Sequence, residues 1–350
     1  MQVEFQQSNE KSQVIYGQTF AAMLREQLFH ERHVIWCGNQ RYYDRYADKF
    51  AQLIASDNPQ DWLITPNERY CNRLDQLLDF ARSQLRFSTT QKTLYIGLGN
   101  EGIMELATFL QHVSPLDSQL WLIPMSLRAL AQSLTFDATI VEPVTQKTVL
   151  QVTSAPQQIL FDHTLADQQT DGKLVDLLTL ISCGVVAAPD FLSELYRSYP
   201  NQQQLLNQSF AAFIAPLLQY YEGQGREIRA FGQLFEQAFF ATSNGHLLSD
   251  SMKRMFGLVF TLAWSAEVSE LDFNFKNFVV WLYHLGYPLA LPQEISTAEY
   301  GQQVIAFAQK KPPRPLKKIG QLDLPQVPTE RELAAVFDRY HQLVEKIRGK

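Results

Sequence analysis

The sequence predicts an α/β half followed by an all-α half. Three observations carry this. Short apolar runs alternate with amphipathic stretches as far as residue 162, only helical periodicity remains from about Lys173 onward, and a glycine-rich turn sits where a strand passes into a helix. Strand–helix–strand alternation at this spacing means parallel pairing through helical crossovers.

In chain order, His33-Val-Ile-Trp-Cys-Gly38 reads as a buried strand, followed by a helical pattern from about Arg41 to Ile54. Asp61-Trp-Leu-Ile-Thr-Pro66 is the next strand, and Arg73 to Leu85 sets Leu74, Leu77, Leu78 and Ala81 at helical spacing. Lys92 to Gly99 is a third strand with a helix running to about His112, and Ser118 to Pro124 is a fourth. Short β runs follow at Thr139-Ile-Val-Glu-Pro143, Thr148-Val-Leu-Gln-Val152 and Ile159-Leu-Phe-Asp162. Helical patterns then cover Leu174–Val186, Leu192–Tyr199, Gln203–Tyr221, Ile228–Phe240, Met252–Val268 and Phe275–Leu285. Lys310 to Lys318 is a proline-broken basic segment that reads as a solvated linker. Thr329-Glu-Arg-Glu332 is a capping box opening a last helix.

At 350 residues the chain exceeds one ordinary core. The polar stretch Ala166-Asp-Gln-Gln-Thr-Asp-Gly172 is the natural boundary, giving domains at 1–167 and 168–350. A hydrophobic fraction of 46% fits a globular protein, and a net charge of −6 argues against a nucleic-acid partner, which needs a basic face. No apolar run approaches the length of a membrane span, and the mixed-charge first dozen residues are unlike a signal peptide. Three widely spaced cysteines, Cys37, Cys71 and Cys183, without a C-x-x-C pair, fit a reducing cytoplasm. These features lead us to expect a cytoplasmic protein with no membrane or nucleic-acid partner.

The sharpest local signal is Ile96-Gly-Leu-Gly-Asn-Glu-Gly102, a G-x-G-x-x-G pattern at a strand-to-helix turn. Glycines there let backbone N–H groups and a helix N-terminus approach a pyrophosphate, so Gly97, Gly99 and Gly102 are the candidate dinucleotide-binding residues. The pattern comes third in strand order, and Glu101 puts a negative charge where phosphates would sit. A tight turn that needs glycine for backbone reasons alone is the competing reading.

The order of these segments resembles 3-dehydroquinate synthase and its sugar-phosphate cyclase relatives over nearly the whole chain. Thr65-Pro-Asn-Glu-Arg-Tyr-Cys-Asn72 is similar to that family's P-x-G-E-x-x-K segment, and Gly97 to Glu105 to its G-G-G-x-x-G-D loop. Leu122-Ile-Pro-Met-Ser-Leu127 resembles I-P-T-T-L, and Ile159-Leu-Phe-Asp162 resembles V-L-I-D. Ala230 to Ala238 stands where the family has N-F-G-H-T-x-G-H-A. The resemblance implies a Rossmann-like, nucleotide-binding α/β domain followed by a helical domain carrying metal and substrate groups. It further implies NAD, a zinc ion, a homodimer and closure of a seven-carbon sugar phosphate into a ring.

The same pairing shows what is missing. The zinc ligands implied by the resemblance become Thr179, Gln233, Gln237 and Asp250, and the substrate-side lysines become Asn72, Ala138, Ser182 and about Ala212. The loop glycine pair becomes Phe136-Asp137. Of the charged positions, Glu222, Arg226 and a structural Asp162 remain. A hydroxyl and two amides are poor zinc ligands, and one arginine cannot hold a phosphate and a carboxylate together. We therefore expect no zinc, and no resident cofactor unless the glycine turn still takes NAD.

Other constellations read as structural. His246, Asp250 and Gln237 are candidates for a new metal site, but a polar loop at Ser243-Asn-Gly-His246 explains the histidine. His30 and His33 read as a solvated loop. His163 follows Asp162 with no nucleophile elbow nearby. Cys183 reads as a buried small hydrophobe, and Trp36, Trp62, Trp121, Trp264 and Trp281 as packing. Three functional readings follow. The first is a catalytically inactive synthase-like homologue that binds a protein partner or small anionic ligand and regulates. The alternatives are a diverged NAD-binding enzyme with metal-free chemistry and a genuine 3-dehydroquinate synthase of the shikimate pathway.

Overall fold

The structure, a computed structural model, describes all residues except Ser8, 26–31, 54–58, 88–90, 167–169, Glu270 and Lys350. Two compact units emerge: Met1–Gly172 with Phe210–Ile214, and Lys173–Ser209 with Ala215–Lys350.

The first unit runs β1 (Gln2–Gln7), β2 (Glu10–Tyr16), α1 (Phe20–Arg25), β3 (Arg32–Asn39), α2 (Gln40–Leu53), β4 (Gln60–Thr65), α3 (Leu74–Gln84) and β5 (Lys92–Gly99). It continues with α4 (Glu101–Val113), β6 (Ser118–Pro124), α5 (Leu127–Ser133), β7 (Asp137–Val141), β8 (Thr148–Thr153), β9 (Gln158–Phe161) and α6 (His163–Ala166). One seven-stranded sheet has the order β1-β2-β9-β6-β5-β3-β4. Every pairing from β2 to β4 is parallel, as the alternation predicts, and β1 joins β2 antiparallel. β7 and β8 form a separate antiparallel ribbon. The four long strands form where the periodicity puts them.

The hairpin β1–β2 has no counterpart in the periodicity, where strands begin at residue 33. In β1 only Phe5 and Gln7 are buried. An edge hairpin with one solvated face alternates polar residues so thoroughly that its apolar signal is faint. Inside the sheet face, Trp36 stacks on Phe50 at 4.7 Å and on Trp62 at 5.1 Å, which makes these aromatics core.

The second unit is helical, and the boundary between units falls inside α7 (Thr170–Ala187). Then come α8 (Pro189–Ser198), α9 (Gln202–Asn207), α10 (Ala211–Ala230), α11 (Gln233–Phe240), α12 (Asp250–Val268), α13 (Phe275–His284), α14 (Thr297–Ala308), β10 (Leu316–Lys318), β11 (Gln321–Leu322) and α15 (Glu330–Arg348). Helix α12 is its axis, burying Met255, Phe256, Val259, Phe260 and Trp264. Gly257 lets it approach α11 closely, because a Cβ there would stand 2.6 Å from Gly232 O. The stretch 203–221 is two helices, broken between Asn207 and Ala211, rather than one. Helix α14 forms as well, outside the helical patterns that the periodicity marks.

The basic segment before α15 is tied down rather than free. Leu316 is buried, its N–H donates to Ser265 Oγ at 3.0 Å, and its carbonyl accepts from Ser269 Oγ at 2.7 Å. The lysines around it remain exposed. The capping box at Thr329 and Glu332 forms as predicted. Among the described residues, no helix is long and apolar enough to cross a membrane.

Candidate functional site

The glycine turn lies at the end of β5, where the sheet changes direction. From β3 the chain adds β4 on one side and then returns to add β5 on the other. In parallel α/β sheets, ligands collect outside the carboxyl ends of the strands flanking such a switch. Asn39 ends β3 and Gly99 ends β5, so this crevice is theirs.

The loop after β4 packs closely on the turn beside this crevice. Asn39 Nδ2 donates to Thr65 Oγ1 and to Pro66 O, both at 3.1 Å, and its Oδ1 accepts from Asn100 N at 3.4 Å. A Cβ on Gly99 would lie 2.7 Å from that same Oδ1. At Gly102 a Cβ would meet Arg69 O at 2.5 Å and Cys71 N at 2.9 Å. At Gly97 it would meet Ala107 Cβ and Leu122 Cδ2, both at 2.9 Å. All three glycines are thus required by close packing inside the protein, with the loop after β4 lying directly on the turn.

Helix α4 starts normally: Asn100 is its N-cap, and its Oδ1 accepts from Ile103 N at 3.2 Å. Glu101 is the first helical residue. Its Oε2 lies 3.1 Å from Arg69 Nε and 3.5 Å from Arg128 Nη1. The three side chains are 17, 13 and 18% exposed, so their charges are largely withheld from water. A carboxylate held by two guanidiniums at a helix N-terminus has the electrostatics of a bound phosphate. Here the anion is supplied by the chain. Neither arginine stood out in the sequence, because each reaches Glu101 only through the fold.

One turn further along α4, Glu105 is buried. Asn72 Nδ2 donates to its Oε2 at 2.6 Å and to Thr139 O at 2.8 Å, while Thr139 Oγ1 donates to Glu105 Oε1 at 3.0 Å. Asn72, at a position the resemblance gives to lysine, here fastens α4 to β7. Phe136, at the paired loop-glycine position, is 2% exposed and has φ 57°, a left-handed backbone around a bulky side chain. Ala138 is fully buried in β7. Burial pushes the Cys71 thiol up to about 12, with hydrogen bonding at Thr65 and Asn39 pulling weakly the other way, so it is no nucleophile.

In the helical unit, Thr179 is fully buried on α7, and its Oγ1 accepts from Arg254 Nη2 at 3.5 Å. Asp250 Oδ1 lies 3.4 Å from Lys253 Nζ, and that ammonium sits 4.0 Å above the Phe240 ring. Ser182 Oγ donates to Leu178 O at 2.8 Å within its own helix. Gln233 and Gln237 lie half-buried on α11, and Ala212 and Arg226 are exposed on α10. His246 is exposed on a single 3-10 turn, Gly245–Leu247. Among the described residues, no three of His, Cys, Asp and Glu converge as a metal ion requires.

One histidine departs from expectation. His33 does not stand in a solvated loop: it lies in β3, 3% exposed, with Nε2 2.7 Å from Asp61 Oδ2. Strand β3 begins at Arg32, so His33 is its second residue. His30 lies outside the described residues. Asp162 is structural as expected, with Oδ2 accepting from Phe20 N at 2.8 Å and Oδ1 from Thr164 N at 3.0 Å.

No family model and no curated protein sequence matches the chain. Solved structures do. A 2-epi-5-epi-valiolone synthase from Streptomyces hygroscopicus subsp. jinggangensis, with NAD+ and Zn2+ bound, superposes with TM-score 0.80 at 10% identity, over 96% of this chain and 98% of that one. A 2-deoxy-scyllo-inosose synthase complexed with carbaglucose-6-phosphate, NAD+ and Co2+ gives 0.74 at 10% identity, over 97% and 99%. A glycerol dehydrogenase from Schizosaccharomyces pombe gives 0.65 at 14% identity, over 96% and 90%. At these identities the likeness shows the fold: an N-terminal α/β domain and a C-terminal helical domain of dehydroquinate synthase-like type.

Proposed function

We propose that this chain is a 3-dehydroquinate synthase-like protein that does not form dehydroquinate and works instead as a cytoplasmic binding or regulatory homologue, with an active enzyme of aromatic biosynthesis as its partner. The observation that carries this reading is the closed nucleotide seat. The two synthase structures hold NAD+ and a metal ion, so both groups must be tested against the residues present. A pyrophosphate needs bare backbone N–H groups and open space at the turn. This turn offers the Glu101 carboxylate, the Arg69 carbonyl and the Asn39 amide instead. The residues do not fit NAD.

The metal positions implied by the resemblance fare no better. A hydroxyl engaged by Arg254, two carboxamides and a carboxylate facing the Lys253 ammonium are not a zinc donor set. Because these side chains suit neither group, the transient oxidation and the metal-assisted step of the cyclase reaction have nothing in this chain to proceed through.

The test is calorimetric titration of NAD into the purified protein, with and without zinc, beside an assay for cyclisation of the heptulosonate phosphate substrate. No heat up to millimolar NAD and no dehydroquinate are the expected results. Binding tighter than about 1 mM, worth roughly 4 kcal/mol, would overturn this reading in favour of a diverged NAD-binding enzyme. Dehydroquinate formation would establish a genuine synthase. Titrating Glu101→Gln in parallel separates causes: NAD binding in this variant alone identifies the carboxylate as the block.

A further inference from the structure

Helices α13 and α15 both pack against α12 within the second unit. Between them lies a groove of about 860 Å³, lined by these two helices alone. That volume falls in the range of small-molecule sites, about 300–1,000 Å³. Its apolar lining comes from Phe275 and Val280 on α13 and from Leu343 and Ile347 on α15, all four half-buried. Arg339, Leu343 and Ile347 follow one another at intervals of four residues, so one face of α15 turns toward the groove.

The rim of the groove is cationic. Lys276 and His284 from α13 and Lys346 from α15 line it and are exposed. Arg339 is already held, with Nη2 2.8 Å from Glu267 Oε2. Among the described residues, Lys276 and Lys346 make no ion pair and no carboxylate lines the groove. In a chain of net charge −6, this is a local excess of positive charge. Two ammonium groups beside an apolar floor complement a ligand with an anionic head and an apolar body. Phe275 to His284 rises about 13 Å along its helix at about 1.5 Å per residue, a span that a medium-length alkyl chain covers.

We propose that the groove between α13 and α15 binds a single-chain anionic amphiphile, a medium-chain carboxylate or alkyl phosphate. The alkyl chain lies against Phe275, Val280, Leu343 and Ile347, and the head group meets Lys276 and Lys346 at the rim. Burying the chain removes apolar surface from water on both ligand and protein. The head group stays at the exposed rim, so its charge loses little hydration. A neutral chain gains the first effect without the attraction of the lysines. The nucleotide seat belongs to the other unit, and the proposal is independent of it.

Calorimetric titration of the full chain with decanoate, decyl phosphate and decanol, each below its micelle or solubility limit at neutral pH, tests this. Saturable binding of one anionic chain per protein is expected, with decanol weaker, and the tighter anion identifies the head group. The double variant Lys276→Glu, Lys346→Glu changes exposed side chains only. It should weaken both anions about tenfold or more and leave decanol unchanged. Leu343→Asp should weaken all three probes, with its thermal unfolding profile showing whether the helices still pack. No saturable binding of either anion, equal affinity for decanol, or a double variant that binds the anions like wild type would overturn the proposal. Two other occupants would overturn it as well. Wild type that binds phosphatidylglycerol vesicles but neither free anion would give the groove to a membrane surface, and a dimer that Leu343→Asp dissociates would give it to a second copy.

Discussion

The rings of Phe5 and Phe136 meet edge to face, with centroids 5.7 Å apart and planes at 80°. The contact ties the amino-terminal hairpin to the entry of β7. Phe136 makes it from a left-handed backbone, which costs a residue with a Cβ roughly 1–2 kcal/mol. The buried ring offsets that strain.

Two substitutions separate strain from packing. Phe136→Ala removes the ring and keeps the strain, for a loss of about 3–5 kcal/mol. Phe136→Gly removes the ring as well but relieves the backbone. The glycine variant should therefore be the more stable of the two by about 1 kcal/mol, the reverse of the usual ranking. Urea midpoints of both variants measure the difference. A glycine variant equal to or below the alanine variant would show that the backbone at 136 carries no strain.

Much of the fold was legible in the order of elements, and little of the site was. Parallel strands buried on both faces, such as Leu94-Tyr-Ile96, write themselves as continuous apolar runs, and the box at Thr329 and Glu332 announces a helix start. The hairpin β1–β2 was hidden because its solvated face carries Gln and Glu between few apolar residues. The glycine turn was visible, but what occupies it was not. Glu101 stood out as a misplaced charge, whereas Arg69, in the loop after β4, and Arg128, on α5, become its partners only when the fold brings them together. Asn39 was one polar residue at a strand end. The sequence marks where backbone must be special; the fold decides whose side chain fills the space.

The packing account of the turn predicts a contrast between two glycines. Gly102→Ala drives a Cβ to 2.5 Å from the Arg69 carbonyl, a backbone atom that cannot step aside cheaply. We expect destabilisation of about 1–3 kcal/mol or more. Gly223, on α10, has nothing within 4 Å of its Cβ position, and alanine there should stabilise by about 0.5–1 kcal/mol. Chemical denaturation reads both. A neutral Gly102→Ala would mean the loop after β4 is not seated on the turn.

Helix α15 begins on a carboxylate with two tasks. Glu332 Oε2 accepts from Thr329 N and from Trp264 Nε1, both at 3.1 Å, while Thr329 Oγ1 accepts from Glu332 N at 3.3 Å. Thr329→Ala removes one cap bond and should cost about 1 kcal/mol. Glu332→Ala also leaves the indole N–H of fully buried Trp264 without its acceptor, so we expect the larger loss, about 2–3 kcal/mol. Equal losses would show that the indole bond contributes nothing. Tryptophan fluorescence gives a second readout at the same site.

Alkaline pH should weaken this protein through its buried thiols. Burial raises Cys37 far above the ordinary range and pushes Cys71 and Cys183 up to about 12. In the unfolded chain each ionises near about 8.5. A raised folded pKa means the unfolded state releases its proton first, so stability is complete below about pH 8.5 and falls as pH rises toward the folded values. Buried Tyr95, Tyr287, Tyr300 and Tyr340, all raised by burial, extend the decline from about pH 10 upward. Above about pH 9 each thiol contributes a loss of about 1.4 kcal/mol per pH unit. Urea midpoints between pH 8 and 10 should fall accordingly, and Cys183→Ala should remove about one third of the slope that lies below the tyrosine range. A flat profile over this interval would mean that the thiols reach solvent in the native state, and native-state reaction with a thiol reagent at pH 8 would then be fast instead of blocked.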